Sequence, residues 1–157
     1  MDTIPSLYQK RFVIYGLPRV VNFSFGDRFA NLNEISSWKR KVKRAVFGET
    51  PSRSLIRAQV TLTRCSTREP DYDNLTQAFR YVLNALVENH VIFDDSPVYV
   101  DVKYRWRYAR PTQGKIIIDV KELEADKELI LAVKKIERRQ LANLLRKIRK
   151  EKKAQVG

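Results

Sequence analysis

At 157 residues, 43% apolar and 31% charged, the chain has the length for one packed core and reads as globular, which excludes a disordered or fibrous polymer. Its formal net charge of +13 points to a polyanionic partner, nucleic acid before membrane. A single cysteine, Cys65, excludes an internal disulfide framework, and no apolar run is long enough to span a bilayer. With no signal-peptide pattern at the N-terminus, a reducing, cytoplasmic setting is expected.

Arg11 to Tyr15 reads as a first strand, broken by Gly16-Leu17-Pro18. An irregular loop carrying Arg19 and Arg28 is expected to about Asn31. Asn33 to Ser37 then offers helix-start residues, and Ile35, Trp38, Val42 and Ala45 recur at helical spacing to Phe47. The other face holds Lys39, Arg40, Lys43 and Arg44, and Gly48, Pro51 and Ser52 form a turn. Leu55 to Arg64 alternates: Ile56, Ala58, Val60 and Leu62 face one way, Arg57, Gln59, Thr61 and Thr63 the other. Cys65 is expected to pack in or beside this strand. Leu75, Ala78, Phe79, Val82, Leu83 and Leu86 form one helical stripe, with Gln77, Arg80, Asn84 and Glu88 opposite.

Asp94 to Pro97 is a turn into a further strand. Val98, Val100, Val102, Tyr104, Trp106 and Tyr108 form its apolar face; Asp101, Lys103, Arg105 and Arg107 form the polar one. After a turn at Arg110–Gly114, Ile116–Val120 is expected to pair back on that strand as a hairpin. From Glu124 to about Lys153 the pattern is helical, with Ile130, Val133, Leu141, Leu144, Leu145 and Ile148 in an imperfect stripe among many lysines and arginines. The expected class is α+β: a small mixed or antiparallel sheet of about four strands, two packed helices and a basic C-terminal helical extension. A domain over 1–123 and the extension over 124–157 are the expected organisation.

The chemistry concentrates in Asp71, Asp73, Asp94 and Asp95, which bracket the central helix. Each has a bland explanation: Asp73 as a helix N-cap, Asp71 as a turn starter, Asp94 and Asp95 as turn residues. Together they suggest a metal pocket. Asp71 and Asp73 share a face in an extended segment, and the helix returns the chain toward Asp95. Hard carboxylate oxygens suit Mg²⁺. No calcium-binding EF-hand loop, phosphate-binding loop, dinucleotide fingerprint or zinc spacing occurs. His90, the one histidine, sits near a helix C-terminus, where the dipole favours a protonated imidazole. Arg64 and Arg68 precede the acidic motif, and Lys103, Arg105 and Arg107, with Arg57 alongside, line one strand face; such residues can hold phosphates near a metal.

In Asp71-x-Asp73-Asn74, a helix containing Leu83-Asn84-Ala85-Leu86, and then Asp94-Asp95 and an expected β-hairpin, the chain resembles the RusA-type Holliday junction resolvases of bacteria and their phages. The resemblance covers roughly Arg11 to Lys121. It implies a homodimeric α+β endodeoxyribonuclease that resolves four-way, branched DNA with Mg²⁺ or Mn²⁺, uses no small-molecule cofactor or membrane, and works in the cytoplasm of a bacterial or phage-infected cell. It implies that Asp71, Asp73 and Asp95 bind the metal, with Asp94 as their neighbour. The family's usual lysine is replaced by Gln77, and Arg80, one turn on, supplies a cation on the same helix face. The family often has aspartate where Asn84 stands. The alternatives are a basic DNA-binding or architectural protein without catalysis, a metal nuclease acting on flaps or single strands, and a scaffold.

Overall fold

Four strands and three α-helices account for most of residues 7–19 and 28–156, the residues that the computed structural model describes. In chain order they are β1 (Gln9–Tyr15), α1 (Arg28–Val46), β2 (Ala58–Ser66), α2 (Tyr72–Glu88), β3 (Val100–Tyr108), β4 (Lys115–Glu122) and α3 (Lys127–Val156). The strands form one mixed sheet in the order β1-β4-β2-β3, an α+β fold. β4 is antiparallel to both β1 and β2, while β2 and β3 are parallel and joined through α2.

The expected hairpin between the last two strands does not form. β2 lies between them. Ile116, Ile117 and Ile118 are buried in succession, the pattern of a strand covered on both faces, so β4 belongs in the centre. β3 alternates charged residues along one side, which suits an edge. α1 also differs from expectation: it starts at Arg28, ahead of Asn33. The expected loop before it falls, over residues 20–27, outside the described residues. β2 begins at Ala58, whereas Leu55 makes a separate parallel bridge with Ile92.

The core lies on one face of the sheet. Phe12 and Ile14 of β1, Ile116, Ile118 and Val120 of β4, and Ala58, Val60 and Leu62 of β2 meet Trp38, Val42 and Val46 of α1 and the apolar stripe of α2. All six residues predicted for that stripe are buried, and the four predicted opposite are exposed. Lys39 and Glu88 tie α1 to α2 at 2.6 Å. At the far end of β1, Gly16 adopts φ +103°, a conformation that side chains resist, and its amide donates to the Gly114 carbonyl at 2.8 Å.

Residues up to Leu123 make one compact unit and those from Glu124 another. In the second, Asp126 caps α3, its carboxylate accepting the Leu129 amide at 2.7 Å. Leu141, Leu144, Leu145 and Ile148 of α3 are exposed. No helix among the described residues is long and apolar enough to cross a membrane.

Candidate acidic site and basic sheet edge

The turn from β2 into α2 is held by Ser66. Its hydroxyl donates to the Arg68 carbonyl at 2.8 Å and accepts the Trp106 indole N–H at 3.1 Å. This brings Asp71, not Asp73, to the N-cap position of α2. Its carbonyl accepts the Leu75 amide at 3.0 Å, but its carboxylate makes no capping hydrogen bond. Asp73 lies in the first helical turn, so its predicted N-cap role is not the observed one. Both acids are exposed at the helix N-terminus, where the dipole favours negative charge.

The other acids return to the middle of the same helix. α2 ends at Asn89, and His90 follows at φ 58°. The Val91 amide donates to the Leu86 carbonyl at 2.9 Å and the His90 amide to Val87 at 3.0 Å, the paired bonds of a Schellman ending. Val91 and Leu86 are both buried, fixing the direction of exit. The Leu55–Ile92 bridge then turns the chain back, with the Leu55 amide donating to Val91 at 3.0 Å and the Phe93 amide to Leu55 at 2.9 Å. The Arg57 guanidinium donates to the carbonyls of Pro97 and Val98. Arg57 is thereby committed to this loop and does not join the predicted basic strip.

Asp94 and Asp95 sit in that loop. The Asp95 amide donates to the Asp94 carboxylate at 2.7 Å. Loss of water, followed by the hydrogen bond and like charge of Asp94, holds the Asp95 carboxyl above its ordinary range. Arg80 pulls it the other way without cancelling the effect. Arg80 and Asp95 are thus electrostatic neighbours.

Tyr104 joins the two ends of the acidic motif. It lies on the helix-facing side of β3, beside Leu62 in register. Its ring meets Tyr72 edge-on at 6.0 Å and Phe79 at 6.2 Å. Burial pushes its hydroxyl pKa up, with Tyr72 and then Asp95 adding to the shift. Sequence reasoning took Tyr104 only as part of an apolar strand face. Its signal was a residue with a polar tip in that alternation, together with Tyr72 placed between the two motif aspartates.

All four acids offer hard oxygen donors, chemistry that suits Mg²⁺ or Mn²⁺. Their positions do not close a site: among the described residues, no three histidine, cysteine, aspartate or glutamate side chains gather closely enough to hold an ion. Asp94 and Asp95 come together, while Asp71 and Asp73 stand at the helix end.

The basic residues divide between faces. Lys103, Arg105 and Arg107 pair in register with Thr61, Thr63 and Cys65, on the side of β3 opposite Tyr104. They share an edge strand with Tyr104 but lie on its other side, whereas they were expected to hold phosphates near a metal. Arg64 has the parity of Val60 and Leu62 and faces the helices. Its guanidinium donates to the Pro18 carbonyl at 2.7 Å, and burial lowers its pKa against the opposing influence of Tyr81. The Tyr81 hydroxyl, pushed up mainly by burial, donates to the Arg19 carbonyl at 3.3 Å. Arg64 therefore braces the segment after β1. Arg68 and Gln77 are exposed. Cys65 is buried within β2, as predicted.

No protein-family model and no curated protein matches the chain. Among solved structures it is similar to the GDP-form protofilament of TubZ from Bacillus thuringiensis serovar israelensis. The identity is 11%, covering 91% of this chain and 31% of that one, with a TM-score of 0.41. A second TubZ structure, described as a type III plasmid segregation protein, is 10% identical over 87% of this chain and 30% of its own, with a TM-score of 0.40. The chain spans about a third of the length of these proteins. A likeness of this degree assigns neither family nor activity.

Proposed function

We propose that this chain is a metal-dependent, structure-selective endodeoxyribonuclease that resolves four-way DNA junctions as a homodimer. The observation that carries the reading is the return of Asp95 to Arg80 at the middle of α2, with Tyr104 packed against Tyr72, which stands between the two motif aspartates. Asp71, Asp73 and Asp95, with Asp94 beside them, are the residues that would hold Mg²⁺ or Mn²⁺. Such an ion, when bound, neutralises phosphate charge and makes water a stronger nucleophile. Arg80 binds a non-bridging phosphate oxygen. Its guanidinium stays charged throughout and exchanges no proton. Tyr104 and Phe79 fix the positions of the acidic segments. Two subunits supply two sites, since a single cut leaves a junction unresolved.

Cleavage of a synthetic four-way junction with Mg²⁺, against an EDTA control, tests this directly. Asp71→Asn and Asp95→Asn should bind the junction like wild type and lose cutting. Wild-type rates from purified Asp71→Asn would sink the assignment. A second reading, a junction-binding protein without catalysis, is favoured by the open spacing of the acids and by exposed Gln77 at the family's lysine position. It predicts binding unaffected by EDTA and no cutting by wild type.

A further inference from the structure

At the end of the sheet where β1 finishes and β4 begins, one residue from each strand falls into a single row. Tyr15 pairs with Lys115, Lys115 with Cys65, and Cys65 with Arg107. Directly paired residues share a face, so all four point to the side away from α1 and α2. They line a cavity of about 460 Å³, within the range of small-ligand sites. The turn after β3 closes its end with Thr112 and Gln113, and Tyr108 stands at its margin. The Gly16–Gly114 hydrogen bond locks the β1–β4 end beside it.

The lining has a consistent chemistry. Lys115 and Arg107 flank Cys65 from adjacent strands, so their Cα atoms lie roughly 10 Å apart and both long side chains can converge on one anion. Among the described residues, no aspartate or glutamate lines the cavity. The two tyrosines are unusually open, Tyr15 at 74% and Tyr108 at 67% exposure. Two cations with no counter-charge among the described lining residues, and the bare ring of Tyr15 beside them, are the elements that hold a phosphate and stack a base. Arg105 and Lys103 continue from Arg107 at every second residue of β3, a repeat on the scale of one nucleotide in an extended strand.

We propose that this cavity binds an unpaired nucleotide of a single DNA strand, its phosphate between Lys115 and Arg107 and its base on Tyr15. The strand's neighbouring phosphates lie along Arg105 and Lys103. The site is on the opposite face of the sheet from Tyr104 and the acidic motif. It rests on nucleic acid being the partner and is independent of cleavage.

Fluorescence anisotropy of the whole chain with a short labelled oligothymidylate, in EDTA, tests it. EDTA removes any catalytic metal, so failure of the nuclease reading leaves the result untouched. Tyr15→Ala should weaken binding about tenfold, while Tyr15→Phe, which keeps the ring, retains wild-type affinity. Lys115→Gln should reduce the slope of log affinity against log salt by about one. Both sites of substitution are at the surface end of strands, and circular dichroism checks the fold. Wild-type affinity in both Tyr15→Ala and Lys115→Gln overturns the proposal. Equal binding of a duplex with the same sensitivity to Tyr15→Ala overturns the unpaired nucleotide. Full competition by thymidine monophosphate at equal concentration overturns the strand in favour of a free nucleotide.

Discussion

Asp95 is the residue on which opposing influences meet. Partial loss of water and the adjacent Asp94 raise its carboxyl pKa above the ordinary 3.8, while Arg80 limits the rise. In the pH window between 3.8 and the raised value, the folded chain holds a proton that the unfolded chain has released. Stability therefore falls as pH rises through that window and stays lower above it. Asp95→Asn removes this penalty. Its thermal midpoint should exceed that of wild type at neutral pH, and the advantage should vanish in acid below the carboxylate range. Equal midpoints at neutral pH would refute the repulsion. At this scale the acids were legible, because residue type and spacing alone mark them. Tyr104 was not, because its contacts arise only when α2 packs on β3. Arg64 was misread although the signal was there: it shares even numbering with Ala58, Val60 and Leu62, the buried side of β2.

The ends of elements do more to position the acidic loop than their middles. His90 occupies the left-handed position of the α2 Schellman ending, where glycine is unstrained. His90→Gly should raise stability by about 1 kcal/mol in chemical denaturation, with no change in m-value. A loss of stability would mean that the imidazole makes a compensating contact. The predicted α2 stripe was legible because periodicity at 3.6 residues is local. Strand pairing was not. The short turn at Arg110–Gly114 invites a hairpin, but the run of buried Ile116, Ile117 and Ile118 suits a strand inside the sheet, and β4 lies between β1 and β2. That competition between a local turn and a central position is settled by the whole sheet, not by either strand.

Over the whole molecule, charge is the dominant fact. A chain at +13 should bind junction DNA with a steep salt dependence, each phosphate contact contributing about 0.9 to the slope. If α3 contacts DNA, replacing Lys150, Lys152 and Lys153 together with glutamine should flatten that slope by as much as about 2.7. An unchanged slope would show that α3's charge serves another purpose. Sedimentation equilibrium should give twice the 18.4 kDa chain mass for the proposed homodimer. A mass that stays monomeric at all concentrations would leave paired cutting without a second site. The α+β class was legible from composition and pattern. The placing of Lys103, Arg105 and Arg107 on the face opposite Tyr104 was not, since it needs the register of β3 against β2.

The central place of β4 governs the order in which the chain can assemble. β4 is the last strand synthesised, yet it must enter between two strands made earlier. Arg11 meets Asp119 across 108 residues, so β1 leaves the ribosome long before its partner exists. Such long closures place folding in the millisecond-to-second range. Until then β1 and β2 expose open edges of the kind that can pair with another molecule.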